Sequence, residues 1–322
     1  MQGQKTNKHN LGDLRQMQSL PLEAKLLMTE RRIREWVEYW GEDHVYVSFS
    51  GGKDSTVLLH LCRKLYPELV AVFSDTGLEF PEIREFVKTF DNVVWVKPEL
   101  TFKEVIDKCG YPCISKEQAE WIHRIRSGQC SNSIRKAFYG KNPDGSDTKY
   151  KLSEQWRFML NAPFDIGSGC CMEMKKKPIA KYAKQTHRVP IVGTMASESK
   201  LRTQIWLQQG CNAFDNRKAV SAPMSFWTEA DVWEYLRRFN VPYCSIYDKG
   251  YVRTGCIFCM FGVQFDKEPN RFQQLQRTHP KIWRYCMKPR DKGGLGMREV
   301  LEYMGIPYEN YLVEDSPRDR TD

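Results

Sequence analysis

The stretch VYVSFSGGKDSTVLLHL, residues 45–61, sets SGGKDS between two apolar runs. The run before it reads as a buried strand and the run after it as a helix. The six residues between belong to neither. Glycines at such a junction take backbone angles closed to other residues, so successive N–H groups can turn into one concavity. The helix N-terminus adds partial positive charge there, and Lys53 adds a full one. Ser50 and Ser55 offer hydroxyls, and Asp54 offers a carboxylate that can hold Mg²⁺ against phosphate oxygens. This is a cradle for a phosphate chain; an ordinary glycine turn is the plain alternative.

The surroundings of this junction predict the fold. Strands are expected at Val45–Ser50, Leu69–Ser74, Val93–Val96 and Val189–Thr194, and helices at Asp54–Leu65, Pro81–Phe90 and Phe102–Cys109. Strand and helix alternate at βαβ spacing, so the fold class is α/β, a doubly wound and mostly parallel sheet. A leading helix over 22–40 places Leu26, Ile33, Trp36, Val37 and Trp40 on one face and stops at Gly41. Residues 127–149 are rich in Gly, Ser, Asn and Lys without clear periodicity and read as an inserted, mobile loop. The expected organisation is an N-terminal helical segment (1–43), a nucleotide-binding domain (44–262) with an insert at about 127–150, and a C-terminal helical extension (263–322).

At 322 residues and 41% hydrophobic content the chain can bury one large core with a smaller appended unit. No run approaches the eighteen apolar residues of a membrane span, and MQGQKTNKHNLGDL lacks a secretory h-region, so a cytoplasmic protein with no membrane partner is expected. The net charge of +9 favours polyanionic partners such as nucleotides or nucleic acid, though a lysine-rich solvated surface accounts for it equally well. Eleven cysteines in a reducing compartment point to metal binding or chemistry rather than disulfides.

Neither GxxxxGK[ST] nor GxGxxG occurs. The strand followed by SGGKDS resembles the PP-loop, or adenine nucleotide alpha-hydrolase-like, superfamily. Its members bind ATP or an adenylyl sulfate, and many cleave ATP between the α and β phosphates. FSDTGLEFPE (73–82) and SAPMSFWTEADVWEYLRRFNVPYCSIYDKGYVRTGCIFC (221–259) resemble the phosphoadenosine phosphosulfate (PAPS) reductase branch. The resemblance implies a nucleotide site made of Ser48, Ser50, Gly51, Gly52, Lys53, Asp54, Ser55, Asp75, Thr76, Gly77, Gly193, Glu198 and Arg202. Lys53, Asp54 and Arg202 carry the catalytic roles; a solvated surface arginine is the alternative for Arg202. Read as structure alone, Thr228 with Asp231 starts a capped helix with Val232, Tyr235, Leu236 and Phe239 on its apolar face, ended by Pro242.

Cys170 and Cys171 are adjacent, and Cys256 and Cys259 form a C-x-x-C flanked by glycines. Four thiolates from two such elements can surround a [4Fe–4S] cluster, and the arrangement resembles the iron–sulfur subclass of adenylyl sulfate reductases. Zinc is the chemical rival, buried free thiols the plain reading, and Cys211 and Cys244 are substitute ligands. Such reductases use a nucleophilic cysteine in an ECGLH-like tail, whereas the last residues here read YENYLVEDSPRDRTD; Cys286, among basic residues, is the only cysteine beyond the C-x-x-C.

Three functions stay open. The leading one is ATP cleavage to AMP and pyrophosphate, with Mg²⁺, to adenylate an acceptor for sulfur transfer. Arg124, Arg126, Arg135, Lys136, Phe138, Tyr139 and Trp156 are candidates to bind a nucleic-acid acceptor, although basic loops also serve solubility. The others are an adenylyl or phosphoadenylyl sulfate reductase, and a non-catalytic nucleotide-binding subunit of a defence or transcription-control complex. Partner proteins would then include a sulfur donor or members of that complex.

Overall fold

A computed structural model describes residues 7–128, 132–148, 150–214 and 219–310. The elements begin with α1 (Leu11–Gln18), α2 (Leu22–Trp40), β1 (Val45–Ser48), α3 (Lys53–Leu65), β2 (Ala71–Ser74), α4 (Pro81–Lys88) and β3 (Val93–Val96). They continue with α5 (Phe102–Cys109), β4 (Cys113–Ile114), α6 (Lys116–Arg126), α7 (Asn132–Tyr139), α8 (Lys177–Thr186), β5 (Val189–Val192), α9 (Lys200–Gln209), β6 (Asn212–Ala213) and β7 (Val220–Ser221). The last are α10 (Glu229–Arg238), β8 (Met260–Phe261), α11 (Arg271–Thr278), α12 (Pro280–Met287) and α13 (Met297–Tyr303). They form two compact units, one of residues 1–99 and 175–254, the other of 100–174 and 255–322. Each unit joins segments that a linear division at 43/44 and 262/263 keeps apart.

The first unit holds a six-stranded sheet in the order β3-β2-β1-β5-β7-β6. Neighbours are parallel except β6 against β7. This is the doubly wound α/β sheet that the alternating pattern predicts. Strands this short are fixed by burial on both faces. Tyr46, Val70 and Val72 pack beneath Ile179 and Tyr182 of α8, while α3 buries Val57, Leu58, Leu61 and Cys62. The chain runs from β1 outward to β2 and β3, then returns to β5 on the other side of β1. The strand order therefore reverses between β1 and β5, and in open α/β sheets ligands bind beside the carboxyl ends at such a switch point.

β1 ends at Ser48, two residues short of the expected Ser50, because the Ser50 N–H donates to Ser55 Oγ (3.1 Å) and the chain turns at Gly51. α2 is stopped by Gly41 at φ 84° as expected, but its buried stripe includes Lys25 and Thr29, while Leu26 is only half-buried. Lys25 is buried because its ammonium meets Asp231 at 2.6 Å and the Gln18 carbonyl at 2.7 Å. Thr228 and Asp231 form the expected capping box on α10, with Val232, Tyr235 and Leu236 buried. Phe239 is instead 41% exposed, lying against the Tyr235 ring at 4.6 Å.

In the second unit β4 and β8 pair in parallel, with Cys113 opposite Met260. The 127–149 insert is not a featureless loop: α7 lies within it, followed by a bridge between Lys141 and Asp147. Ala137 supplies its buried anchor. Tyr111 donates to the Leu295 carbonyl (2.7 Å) and Trp283 to the Tyr308 carbonyl (3.0 Å). Helices α11–α13 occupy the expected C-terminal extension; residues 311–322 lie outside the described residues. No helix among the described residues is long and apolar enough to cross a membrane.

Candidate active site

The SGGKDS junction lies at the carboxyl end of β1, against the switch point. Gly51 sits at φ 70°, and a Cβ there would come within 2.8 Å of Val87 and 2.9 Å of Ile83, so both its conformation and its neighbours demand glycine. A Cβ on Gly52 would come within 2.7 Å of Thr254 Oγ1. Ser55 knits the turn: its hydroxyl donates to the Gly52 carbonyl (2.9 Å), accepts the Ser50 N–H and lies 3.0 Å from Ser50 Oγ. Gly193, just past β5, lets that strand approach the Asp54 carbonyl; a Cβ would sit 3.1 Å away.

Lys53 is 5% exposed, its ammonium 3.2 Å from Glu229, 3.6 Å from Asp54 and 5.5 Å above the Tyr247 ring. Its N–H donates to the Tyr247 hydroxyl at 2.8 Å. Burial holds the Asp54 carboxyl above its ordinary value, against the opposing pull of Lys53. Asp54 Oδ1 is buried without a hydrogen-bond partner among the described residues. Arg202 forms an ion pair with Glu198, whose carboxylate also accepts the Met195 N–H (2.9 Å). Burial, then the charge of Arg253, lowers the Arg202 guanidinium from its usual value, while Asp54 opposes. Arg202 thus lies in electrostatic reach of both Asp54 and Arg253, while Lys53 stands beside Asp54 and Glu229.

Asp75, Thr76 and Gly77 follow β2, and the first two are already engaged. Asp75, 5% exposed, accepts from Arg84 at 3.1 Å and has Lys97 at 3.9 Å, while Thr76 donates to Glu79 (2.8 Å). Gly77 takes φ 73° with open space around it. Ser48 is half-buried at the end of β1. Sequence reasoning missed Tyr247, Arg253, Thr254 and Glu229 at the loop. For the first three the signal lay in YDKGYVRT, and for Glu229 in FWTEADVW, stretches that carry no periodicity aiming them at Lys53.

The second candidate cluster lies in the other unit. Cys170 and Cys171 have sulfurs 4.0 Å apart just before a π-helical turn, Met172–Lys176, a feature frequent at functional sites. Cys256 and Cys259 close a turn through the Cys259 N–H to the Cys256 carbonyl (3.1 Å). The hydrogen bond with Cys171, burial, and the charges of Cys171, Cys259 and Cys256 push the Cys170 thiol far up. Burial raises Cys259 as well, opposed by the charges of Arg271 and Lys116. Cys170 is therefore within electrostatic reach of the other three thiols, and Cys259 of Cys171. Among the described residues no three His, Cys, Asp or Glu side chains are placed to hold a single metal ion.

Cys211 and Cys244 are buried thiols pushed up by burial. Cys286 is wholly buried, its sulfur 3.1 Å from Met297 Sδ, and burial drives its thiol upward. Of the candidate nucleic-acid contacts, Arg124 pairs with Glu120 (2.6 Å) and Arg126 donates to the Phe164 carbonyl (2.6 Å). Tyr139 is 68% exposed and packs edge-on against Phe138, Lys136 is half-buried, and Trp156 lies against Phe158. The Arg135 side chain lies outside the described residues.

A profile of the phosphoadenosine phosphosulfate reductase domain matches residues 44–261. The chain belongs to the PAPS reductase domain family. It is 25% identical to an uncharacterized protein of Methanocaldococcus jannaschii over 80% of this chain, but spans only 50% of that relative. It is 24% identical to phosphoadenosine 5'-phosphosulfate reductase of Xylella fastidiosa, over 83% of this chain and 94% of that one. It is 25% identical to adenosine 5'-phosphosulfate reductase of Staphylococcus haemolyticus, over 74% and 79% respectively. The PAPS reductase relatives are enzymes, and this chain shares their domain.

Proposed function

We propose that this PAPS reductase family member binds ATP in the Ser50–Ser55 loop and cleaves it to AMP and pyrophosphate, adenylating an acceptor for sulfur transfer. The observation that carries the reading is the buried Lys53 beside Asp54 at the start of α3, with Arg202 in electrostatic reach of that carboxylate, next to a turn whose glycines accept no side chain. Glu229 and Glu198 hold Lys53 and Arg202 in place, and a polyanion would compete with those carboxylates for both cations. For a phosphate oxygen to take the Lys53 N–H, the Tyr247 hydroxyl must give way. Lys53 and Arg202 then face charge developing at the α-phosphate, where fixed cations lower the barrier most. Buried Asp54 Oδ1 fits a Mg²⁺ ligand, and the ion would neutralise the pyrophosphate leaving group. An acceptor oxygen displaces pyrophosphate, and a sulfur nucleophile then displaces AMP. Glu198 orients Arg202.

Cys170, Cys171, Cys256 and Cys259 fit the four ligands of a [4Fe–4S] cluster, which, with every iron held by a thiolate, would position substrate through its charge rather than by direct ligation. Binding requires the raised thiols to surrender their protons, so metal uptake should weaken as pH falls. The acceptor in this reading is a nucleic acid.

The names of the relatives favour a second reading, reduction of an adenylyl sulfate. Burial of Cys286 against Met297 opposes it, because a thiol kept protonated and inaccessible is a poor nucleophile. Incubating anaerobically purified protein with α-labelled ATP, with and without oligonucleotides, tests the choice. AMP with pyrophosphate supports adenylation; thiol-dependent sulfite release from adenylyl sulfate supports reduction; tight binding without turnover supports a regulatory subunit.

A further inference from the structure

From Pro269 to Arg290 the chain carries six basic residues and no acidic one. Two of the six are engaged: Arg271 grips Asp266 (2.6 Å) and the Cys259 carbonyl (3.0 Å), and Arg290 pairs with Asp107. Arg277, Lys281, Arg284 and Lys288 are exposed and have no ion pair among the described residues. Helix α12 explains their arrangement. It buries Cys286 and Met287, and at about 100° per residue Lys281, Arg284, Tyr285 and Lys288 fall on the opposite arc. Tyr285 is 44% exposed, and its inner edge meets Phe258, ring centres 6.1 Å apart. Phe258 lies between Cys256 and Cys259, so the basic face is anchored on the cysteine turn.

A face kept only for solubility mixes both signs. This one presents cations alone, with an aromatic ring among them. Phosphates spaced along a strand match the cations, and an unpaired base matches the ring, since base–aromatic stacking is indifferent to sequence. We infer that the exposed face of α12 is a docking surface for single-stranded nucleic acid, gripping phosphates with Lys281, Arg284 and Lys288 and stacking a base on Tyr285. The inference deepens the proposed function by placing the acceptor strand beside the cysteine turn, and it rests on that reading only for the consequence of docking.

The test is fluorescence anisotropy with labelled single-stranded DNA and RNA oligonucleotides and the full chain, across a salt series, with ATP binding measured in parallel. Wild-type protein should bind with steep salt dependence. Lys281→Gln/Arg284→Gln/Lys288→Gln should flatten the slope of log K against log salt by about 2, at roughly 0.7 per phosphate contact, and weaken binding at least about tenfold. Tyr285→Ala should weaken it roughly tenfold with the slope unchanged. ATP binding should match wild type in every variant, which also reports that they fold. Wild-type oligonucleotide affinity and slope in the triple variant would overturn the inference, as would equal binding of polyglutamate, the mark of an acidic protein partner. Oligonucleotide binding that follows this pattern while wild-type protein fails to bind ATP would uphold the docking surface and remove the adenylation reading instead.

Discussion

Replacing Gly51 by alanine isolates what the glycine-hinged turn contributes. A left-handed backbone costs an alanine about 1–2 kcal/mol, and Gly51 sits at φ 70°. Its new methyl would also lie 2.8 Å from Val87 and 2.9 Å from Ile83 on α4, an overpacking that costs about 1–3 kcal/mol. The chain can relieve both by turning the Gly51–Gly52 peptide, and that withdraws an amide from the phosphate concavity. Gly77→Ala is the matched control, with φ 73° but nothing within 4 Å, so only the backbone cost applies. Calorimetric titration with Mg·ATP, paired with urea unfolding, should show Gly51→Ala losing at least about tenfold in ATP affinity, equivalent to about 1.4 kcal/mol. Gly77→Ala should lose less stability. Unchanged ATP affinity in Gly51→Ala, in a protein shown to be folded, would refute the role given to the turn.

Other outcomes follow from single contacts. Lys25→Met leaves the Asp231 carboxylate without its buried cation, and urea unfolding should show a loss of about 3–5 kcal/mol. Cys286→Ser should leave AMP formation from ATP intact; loss of that activity with the fold preserved would reinstate the thiol as a reactant. His60 Nδ1 lies 2.8 Å from the Tyr235 hydroxyl, and burial, aided by Lys64, lowers its pKa below the ordinary 6.5. The unfolded chain therefore takes up that proton first, so the stability contributed by His60 is full above pH 6.5 and is lost as pH falls through the folded value. Urea midpoints of His60→Gln should lack that portion of the decline.

The alternation of strands and helices was legible because each apolar run is long enough to show its period, and β3 and α5 fall on their expected residues. The turn at Gly51 was legible because a strand and a helix cannot meet there without special residues. Two-residue strands such as β4 and β8 carry no period at all. Lys25 interrupts the apolar stripe of α2, and only a carboxylate 206 positions away explains its burial. Tyr247 reaches the Lys53 amide across 194 positions, a closure that local patterning does not encode. Asp75 and Thr76 were marked by resemblance, yet the occupation of their side chains by Arg84 and Glu79 shows only in three dimensions.

In the proposed function the loop holds the β and γ phosphates of a nucleoside triphosphate. Parallel titrations of the full chain with Mg·ATP, AMP and adenylyl sulfate measure this directly. ATP should bind at least about tenfold tighter than AMP, and Lys53→Met should erase most of the difference. If AMP or adenylyl sulfate binds as tightly as ATP, and Lys53→Met weakens all three alike, the loop does not grip a triphosphate and the adenylation reading is contradicted.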